Sequence, residues 1–255
     1  MTGTLREAHL YDIDSALIRD VDLLCLDAGN TVVFLEHERL AAVCAREGLA
    51  TSAQSLVHAE GQAKVAIECG DAVDVEWSNA HAPGGRGWGL VVGTMLHRAG
   101  LPVDRVPRFL GALWPDHRRR NFWSLVPAGL VEALGRLRSR GVPVAVISNS
   151  EGFLEEILEE QGILPAFDLV IDSGVVGVEK PDPAIFRIAL DRTGVAARRA
   201  LHLGDTYATD VLGARAAGVR VALIDPYGHL SGRHPDVPRV PGAPQVADAI
   251  ASALG

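Results

Sequence analysis

The polar side chains that follow this chain's short apolar runs suit one kind of chemistry. Asp27 comes directly after LLCL and opens DAGNT (27–31), which also carries Gly29 and Thr31. Ser148 and Asn149 end the run that begins at Val142, Lys180 lies in EKPDPAIF (179–186), and Asp205 and Asp210 belong to GDTYATD (204–210). Three carboxylates, a hydroxyl and an ammonium are the inventory of a metal-assisted phosphoryl site: carboxylates hold a hard Mg²⁺, and a cation neutralises developing charge. Each residue also has an ordinary structural reading. Asp27 could cap a turn, Ser148-Asn149 could open a helix, Asp205 could be an N-cap, and Asp210 a solvated helix residue. Lys180 before a proline would usually be a solvated loop residue. Lysine occurs only twice in this arginine-preferring chain, however, which favours a functional reading of Lys180.

The elements that must position these residues follow from the apolar pattern. From about residue 126, short β-branched runs alternate with helical periods, which predicts a parallel α/β sheet. Pro127 can open a helix with Leu130, Val131, Leu134 and Leu137 on one face, closed by Gly141. Strands are predicted at Val142 to Ile147, Phe167 to Ile171, Ala200 to Leu203 and Val219 to Ile224. Helices are expected at Phe153 to Gln161, from the N-cap Asp182 and Pro183 to Gly194, and at Tyr207 to Ala217. A Pro-rich loop, Pro226 to Pro244, precedes a last helix at Val246 to Leu254. In such sheets ligands gather beyond the carboxyl ends of the strands, where the polar residues fall.

Residues 23 to 26 read as one more buried strand, yet roughly 115 residues separate them from Val142, far beyond an ordinary βα connection. Something is inserted. Leu40, Val43, Cys44 and Glu47 keep helical spacing, Thr51 and Gln54 form a capping-box pattern ahead of Leu56 to Cys69, and Leu90 to Ala99 ends at Gly100. HAPGGRGWG (81–89) is expected to be a flexible loop. The division predicted is a parallel α/β core of residues 1–34 and 124–255, with a small helical domain of residues 35–123 inserted after the first strand.

A net charge of -8 argues against a nucleic-acid partner, since phosphate-backbone binders carry a basic face. A small anionic substrate stays compatible, because a local site can be positive within a negative chain. No stretch is apolar enough to span a bilayer and MTGTLREAHLYDID has no leader pattern, so no membrane partner and a cytoplasmic location are expected. Cys25, Cys44 and Cys69 are widely spaced among apolar neighbours and read as buried reduced thiols.

In order and in context, DAGNT, ISN (147–149), Lys180 in EKPDPAIF and GDTYATD resemble the four motifs of the haloacid dehalogenase-like hydrolase superfamily. The resemblance covers nearly the whole chain. It implies a Rossmann-like core with a mobile cap inserted after the first motif, and a covalent aspartyl intermediate. Position by position, it implies Asp27 as nucleophile, Thr31 orienting the loop, and Ser148 binding oxygens of the transferring group. Lys180 would neutralise the anion and keep Asp27 ionised. Asp205, one Asp27 oxygen and the Gly29 carbonyl would coordinate Mg²⁺, Asp210 would hold that shell, and Asn149 would donate its backbone N–H to the phosphoryl group near a following helix N-terminus.

Phosphatases of that superfamily usually carry a second Asp two residues after the nucleophile, where this chain has Gly29. The resemblance therefore leaves several readings: a Mg²⁺-dependent phosphatase of a small phosphorylated metabolite whose proton is handled elsewhere, with Glu36, His37, His58 and Glu60 as candidates by position; a phosphonate C–P hydrolase using Lys64, the insert's single lysine; a 2-haloacid dehalogenase, opposed by Asp205 and by Phe186 in place of a tyrosine; or a hydrolase fold kept as a binding or regulatory module. Trp77, Trp88, Trp114, Arg86 and Arg118 to Arg120 stand out in the insert. Some arginine of the insert is expected to read a substrate carboxylate or second phosphate, while the default for Arg118 to Arg120 is a solvated basic face beside a core tryptophan.

Overall fold

The computed structural model describes residues 12–255. After a single helical turn, α1 (Ser15–Ile18), come the central strand β1 (Leu23–Leu26) and the short β2 (Phe34–Leu35). Four helices follow: α2 (His37–Arg46), α3 (Ala53–Glu68), α4 (Gly85–Arg98) and α5 (Val106–Arg119). The chain returns through β3 (Trp123–Leu125) to α6 (Leu130–Ser139), β4 (Val144–Ser148), α7 (Leu154–Glu160), β5 (Leu169–Asp172) and α8 (Ser173–Val176). It closes with α9 (Pro183–Thr193), β6 (Ala200–Gly204), α10 (Leu212–Ala216), β7 (Arg220–Ile224), β8 (Arg239–Val240) and α11 (Ala243–Ala253).

Six strands form one sheet in the order β5-β4-β1-β6-β7-β8, every pairing parallel. Strand side chains alternate between faces, and both faces of this sheet are covered. Leu24 and Leu26 join one apolar cluster with α6 and α11, whereas Leu23 and Cys25 join the opposite cluster with α9 and α10. That is why these strands read as unbroken apolar runs. The chain passes from β1 outward to β4 and β5, then crosses back to β6. The direction of winding therefore reverses beside β1, and a crevice opens at the carboxyl ends of β1, β4 and β6.

The insert is helical and has its own core. Residues from Leu35 to Phe122 form a third apolar cluster, separate from the two that sandwich the sheet. Its centre is an aromatic pile: Trp77, Trp88 and Trp114 lie within 5.0–5.5 Å of one another, and His117 sits 5.0 Å from Trp88. The two passages between insert and sheet pair as the antiparallel ribbon β2-β3, with Phe34 opposite Leu125.

Several boundaries differ from the sequence-based expectation. The helix expected from Pro127 starts at Leu130 behind a left-handed Gly129, and Val131 is exposed. The capping residue of α3 is Ser52, whose hydroxyl accepts from the Ser55 N–H, not Thr51. Much of HAPGGRGWG is helical, because α4 begins at Gly85, where Trp88 can reach the aromatic pile. Tyr207 to Val211 form a wide π turn before α10, and the Pro-rich segment holds a sixth sheet strand, β8. Cys25 and Cys44 are buried free thiols, but Cys69 is exposed.

Candidate active site

Asp27 continues β1 by one residue, its N–H donating to Leu203 of β6 at 2.8 Å. The chain then turns sharply: the N–H groups of Thr31, Val32 and Val33 all converge on the Ala28 carbonyl. Asn30 takes the left-handed conformation (φ 54°) that closes this loop, a conformation asparagine tolerates better than most residues. Gly29 does not have a left-handed φ, and a Cβ placed on it would meet the Trp123 ring at 3.5 Å, an ordinary contact. Neither backbone nor space demands glycine here.

Lys180 reaches the crevice from the loop ahead of α9. Asn149 holds its backbone in place: the Asn149 amide donates to the Lys180 carbonyl at 2.8 Å and accepts the Lys180 N–H at 2.7 Å. The Lys180 ammonium lies between Asp27 Oδ1 at 2.5 Å and Asp210 Oδ1 at 2.6 Å, and it is 3% exposed. Asp210 is fixed further by His202 Nε2 at 3.0 Å and by the Thr206 N–H at 3.0 Å. Gly204 makes this possible, since a Cβ there would stand 2.2 Å from the Asp210 carboxyl carbon. His202 belongs to β6 and is fully buried against the edge of Phe186, and that burial lowers its tendency to take a proton despite Asp210.

These environments pull the two aspartates apart. Burial pushes the Asp27 carboxyl up, and Lys180 pulls it down only in part. Burial would raise Asp210 too, but Lys180 and His202 hold it well below the ordinary carboxylate range. For Lys180 burial favours the neutral amine, yet Asp210 and Asp27 outweigh it and keep the ammonium charged.

Asp27, Asp205 and Asp210 each offer an oxygen within 4.8 Å of the others, all three residues buried. An all-oxygen, anionic donor set of this kind fits a hard divalent cation such as Mg²⁺. Ser148 and Thr31 are buried at the same strand ends, and the Thr31 hydroxyl has no protein partner among the described residues. Asn149 differs from the expectation. No helix N-terminus follows it directly, because α7 starts only at Leu154, and its side chain serves the Lys180 backbone.

The insert contributes residues as well. Lys64 of α3 places its ammonium 2.6 Å from Asp205 Oδ2. Glu60, one turn earlier, accepts from Asn30 at 2.5 Å and pairs with His37 Nε2 at 2.8 Å, and Asn30 also donates to Asp205 at 3.0 Å. Of the four positional candidates, His37 and Glu60 therefore reach the site. Glu36 instead binds Arg39, Arg120 and Ser124 at the ribbon, and His58 pairs with Gln62 on the surface. The four conspicuous arginines have other partners: Arg86 pairs with Asp74, Arg119 with Asp116 and Arg120 with Glu36, and Arg118 stacks 3.5 Å over Phe153. Asn30 gave no sequence signal beyond its place within DAGNT, and His202 none beyond adjacency to GDTYATD. Arg118 over Phe153, with His117 3.6 Å from Glu151, fastens α5 to the loop that follows Ser148.

Comparison with known proteins gives the family of the chain. The chain is 32% identical over 208 residues to haloacid dehalogenase-like hydrolase domain-containing protein 3 of Bos taurus, covering 79% of this chain and 81% of that one. It is 39% identical over 131 residues to a phosphoserine phosphatase of Thermus thermophilus, and the match spans about half of each chain (51%). A phosphoglycolate phosphatase of Rhodospirillum rubrum is 35% identical over 156 residues, 57% of this chain and 63% of its own. Among solved structures, magnesium-bound YfnB of Bacillus subtilis superposes with a TM-score of 0.63 at 16% identity, over 90% of this chain and 98% of that one, a likeness of fold. The family model of haloacid dehalogenase-like hydrolases matches residues 21–218, which takes in every strand-end residue described above, and the chain belongs to that family of hydrolases.

Proposed function

We propose that this chain is a Mg²⁺-dependent phosphatase of a small phosphorylated metabolite, working through an aspartyl-phosphate on Asp27. The observation that carries the reading is Lys180 clamped between Asp27 and Asp210, with Asp205 completing a buried oxygen cluster. The phosphatase names among its relatives support the same chemistry.

In this reading an Asp27 oxygen attacks phosphorus, the bond to the leaving oxygen breaks, and water then cleaves the acyl phosphate to release inorganic phosphate. Asp27, Asp205 and the Gly29 carbonyl would hold Mg²⁺, with Asp210 supporting them, and the ion would offset charge on the phosphoryl oxygens. Lys180 lowers the cost of ionising a buried Asp27 and stands against the incoming anion. Ser148 and Thr31 supply hydroxyls at the same strand ends, and the Asn149 amide positions Lys180. Residues 12–34 and 124–255 act as the core, the first eleven residues of the expected span 1–34 lying outside the described residues, and residues 35–123 act as a cap that closes over the crevice and excludes water.

A second reading, C–P cleavage of a phosphonate through an imine on Lys64, has one observation in its favour: Lys64 does reach the site. Its ion pair with Asp205 opposes that reading, because it holds the amine protonated against burial. Phosphate release from a panel of phosphomonoesters, with and without Mg²⁺, tests the first reading. Metal-dependent release abolished by Asp27→Asn supports it. Release only from phosphonoacetaldehyde, with borohydride trapping Lys64, replaces it by the second.

A further inference from the structure

The chain's two lysines, among 24 basic residues, end in the same pocket. They are held differently. Lys180 is committed: its ammonium contacts two carboxylates at 2.5 and 2.6 Å, and its backbone is pinned by Asn149. Lys64 has one close partner, Asp205 at 2.6 Å, and stands 3.9 Å from Glu60. Glu60 keeps close partners without it, since Asn30 and His37 each hydrogen-bond one of its two oxygens. Asp205, in contrast, is one of the three carboxylates whose oxygens converge. Its Oδ1 accepts the Thr206 hydroxyl, and its Oδ2 carries both Lys64 and Asn30.

The charges make the consequence clear. Asp27, Asp205, Asp210 and Glu60 place four carboxylates in the pocket against two ammonium groups. A divalent cation on Asp205 and the Lys64 ammonium would crowd the same carboxylate, and two cations sharing one buried oxygen repel strongly. Lys180 cannot move without abandoning Asp27. Lys64 can, because it sits at the tip of a flexible four-carbon side chain on an insert helix.

We propose that Lys64 is an exchangeable substrate-binding cation. It neutralises Asp205 while the metal position is open, leaves that carboxylate when a divalent ion takes it, and then grips the phosphoryl oxygens of the bound substrate from the insert side. Metal binding thereby arms the insert for an anion. This inference rests on the phosphatase reading above and assigns Lys64 to binding the phosphoryl group, not to forming an imine.

The test uses the full chain and needs no turnover. Metal-stripped wild-type protein is titrated with Mg²⁺ by calorimetry, then, at saturating Mg²⁺, with inorganic phosphate. Lys64→Met should bind Mg²⁺ at least about fivefold more tightly and phosphate at least about fivefold more weakly, the lower end of ordinary coupling between sites. Lys64→Arg should retain phosphate binding. A second measurement avoids any folding defect in the variants: brief acetylation of the wild-type protein, read by peptide mass mapping, with Lys180 as internal control. Mg²⁺ should increase acetylation of Lys64 and phosphate should reverse the increase, while Lys180 stays protected. If Mg²⁺ binds but Lys64 labelling and the variant affinities do not change, the exchange is refuted and the phosphatase reading stands. If the wild-type protein binds no Mg²⁺, both fall.

Discussion

At the residue scale, Gly29 is the departure with the sharpest chemical consequence. The usual reasons for a glycine are absent, since its φ is not left-handed and a Cβ would only touch Trp123 at 3.5 Å. What is missing is a carboxyl group beside the nucleophile. Gly29→Asp should therefore fold normally, with a melting temperature close to wild type. If the leaving oxygen departs without a proton donor, the variant should gain up to about 10²–10⁴ in kcat for alkyl phosphates, the usual contribution of general acid catalysis. Initial rates across leaving groups of different basicity measure this. Equal rates for the two proteins would mean that another group, with Glu60, His37 and Lys64 nearest among the insert's residues, already handles the proton.

Glu60 carries a second residue-scale expectation. Burial would raise its carboxyl, but Lys64 and His37 outweigh it and bring it from 4.5 to about 2. A group that binds its proton more weakly in the folded chain contributes stability above its unfolded value and loses it as pH falls through the folded one. Stability should thus decline from pH 4.5 toward 2 through this group. Glu60→Gln should show a shallower acid limb over that window in melts recorded at stepped pH. An unchanged slope would remove Glu60 from the acid response.

At the element scale, the end of β6 is the tightest junction. The Asp210 carboxyl carbon would lie 2.2 Å from a Cβ on Gly204, so Gly204→Ala must push Asp210 off Lys180 or displace the strand. A cost of about 1–3 kcal/mol, typical of overpacking, is expected by denaturant titration, together with loss of Mg²⁺ binding by calorimetry. A variant with wild-type stability and metal affinity would show that the junction can relax.

The same elements show what the sequence could reveal. The parallel strands were legible because both their faces are buried, giving runs such as VAVI before Ser148. Asp182 and Pro183 mark the start of α9 as expected, the aspartate accepting from the Ala184 N–H. The ribbon β2-β3 was not legible: its strands have two and three residues and pair across the whole insert. Nor was β8, a two-residue edge strand in a proline-rich loop, paired in the sheet with β7 alone. Asp27, Lys180, Asp205 and Asp210 could be named from their places behind strands. The convergence of His37, Glu60 and Lys64 could not, because it depends on how the insert's helices lie against the sheet. Spacing along α3 put Glu60 and Lys64 on one face, but nothing in it said which face meets the crevice.

At the scale of the whole molecule, the sheet fixes the carboxylates while the insert brings its own charged residues to them. Trp88 lies at the centre of the aromatic pile that holds the insert together, 5% exposed. Trp88→Ala should cost about 3–5 kcal/mol, as large-to-small core changes do. Because the insert's core is separate from the two clusters that sandwich the sheet, calorimetric scans should show the loss as a second, lower transition. A single transition shifted as a whole would mean that sheet and insert unfold together.

The claim on which the rest depends is that an oxygen of Asp27 becomes bonded to phosphorus. The most direct measurement is mass spectrometry of protein mixed with Mg²⁺ and a turned-over phosphate ester and quenched in acid within the first turnovers. The account predicts a gain of one phosphoryl group on the peptide carrying Asp27, absent from Asp27→Asn. Steady phosphate release from an unmodified Asp27 peptide, or release that survives in Asp27→Asn, would contradict it.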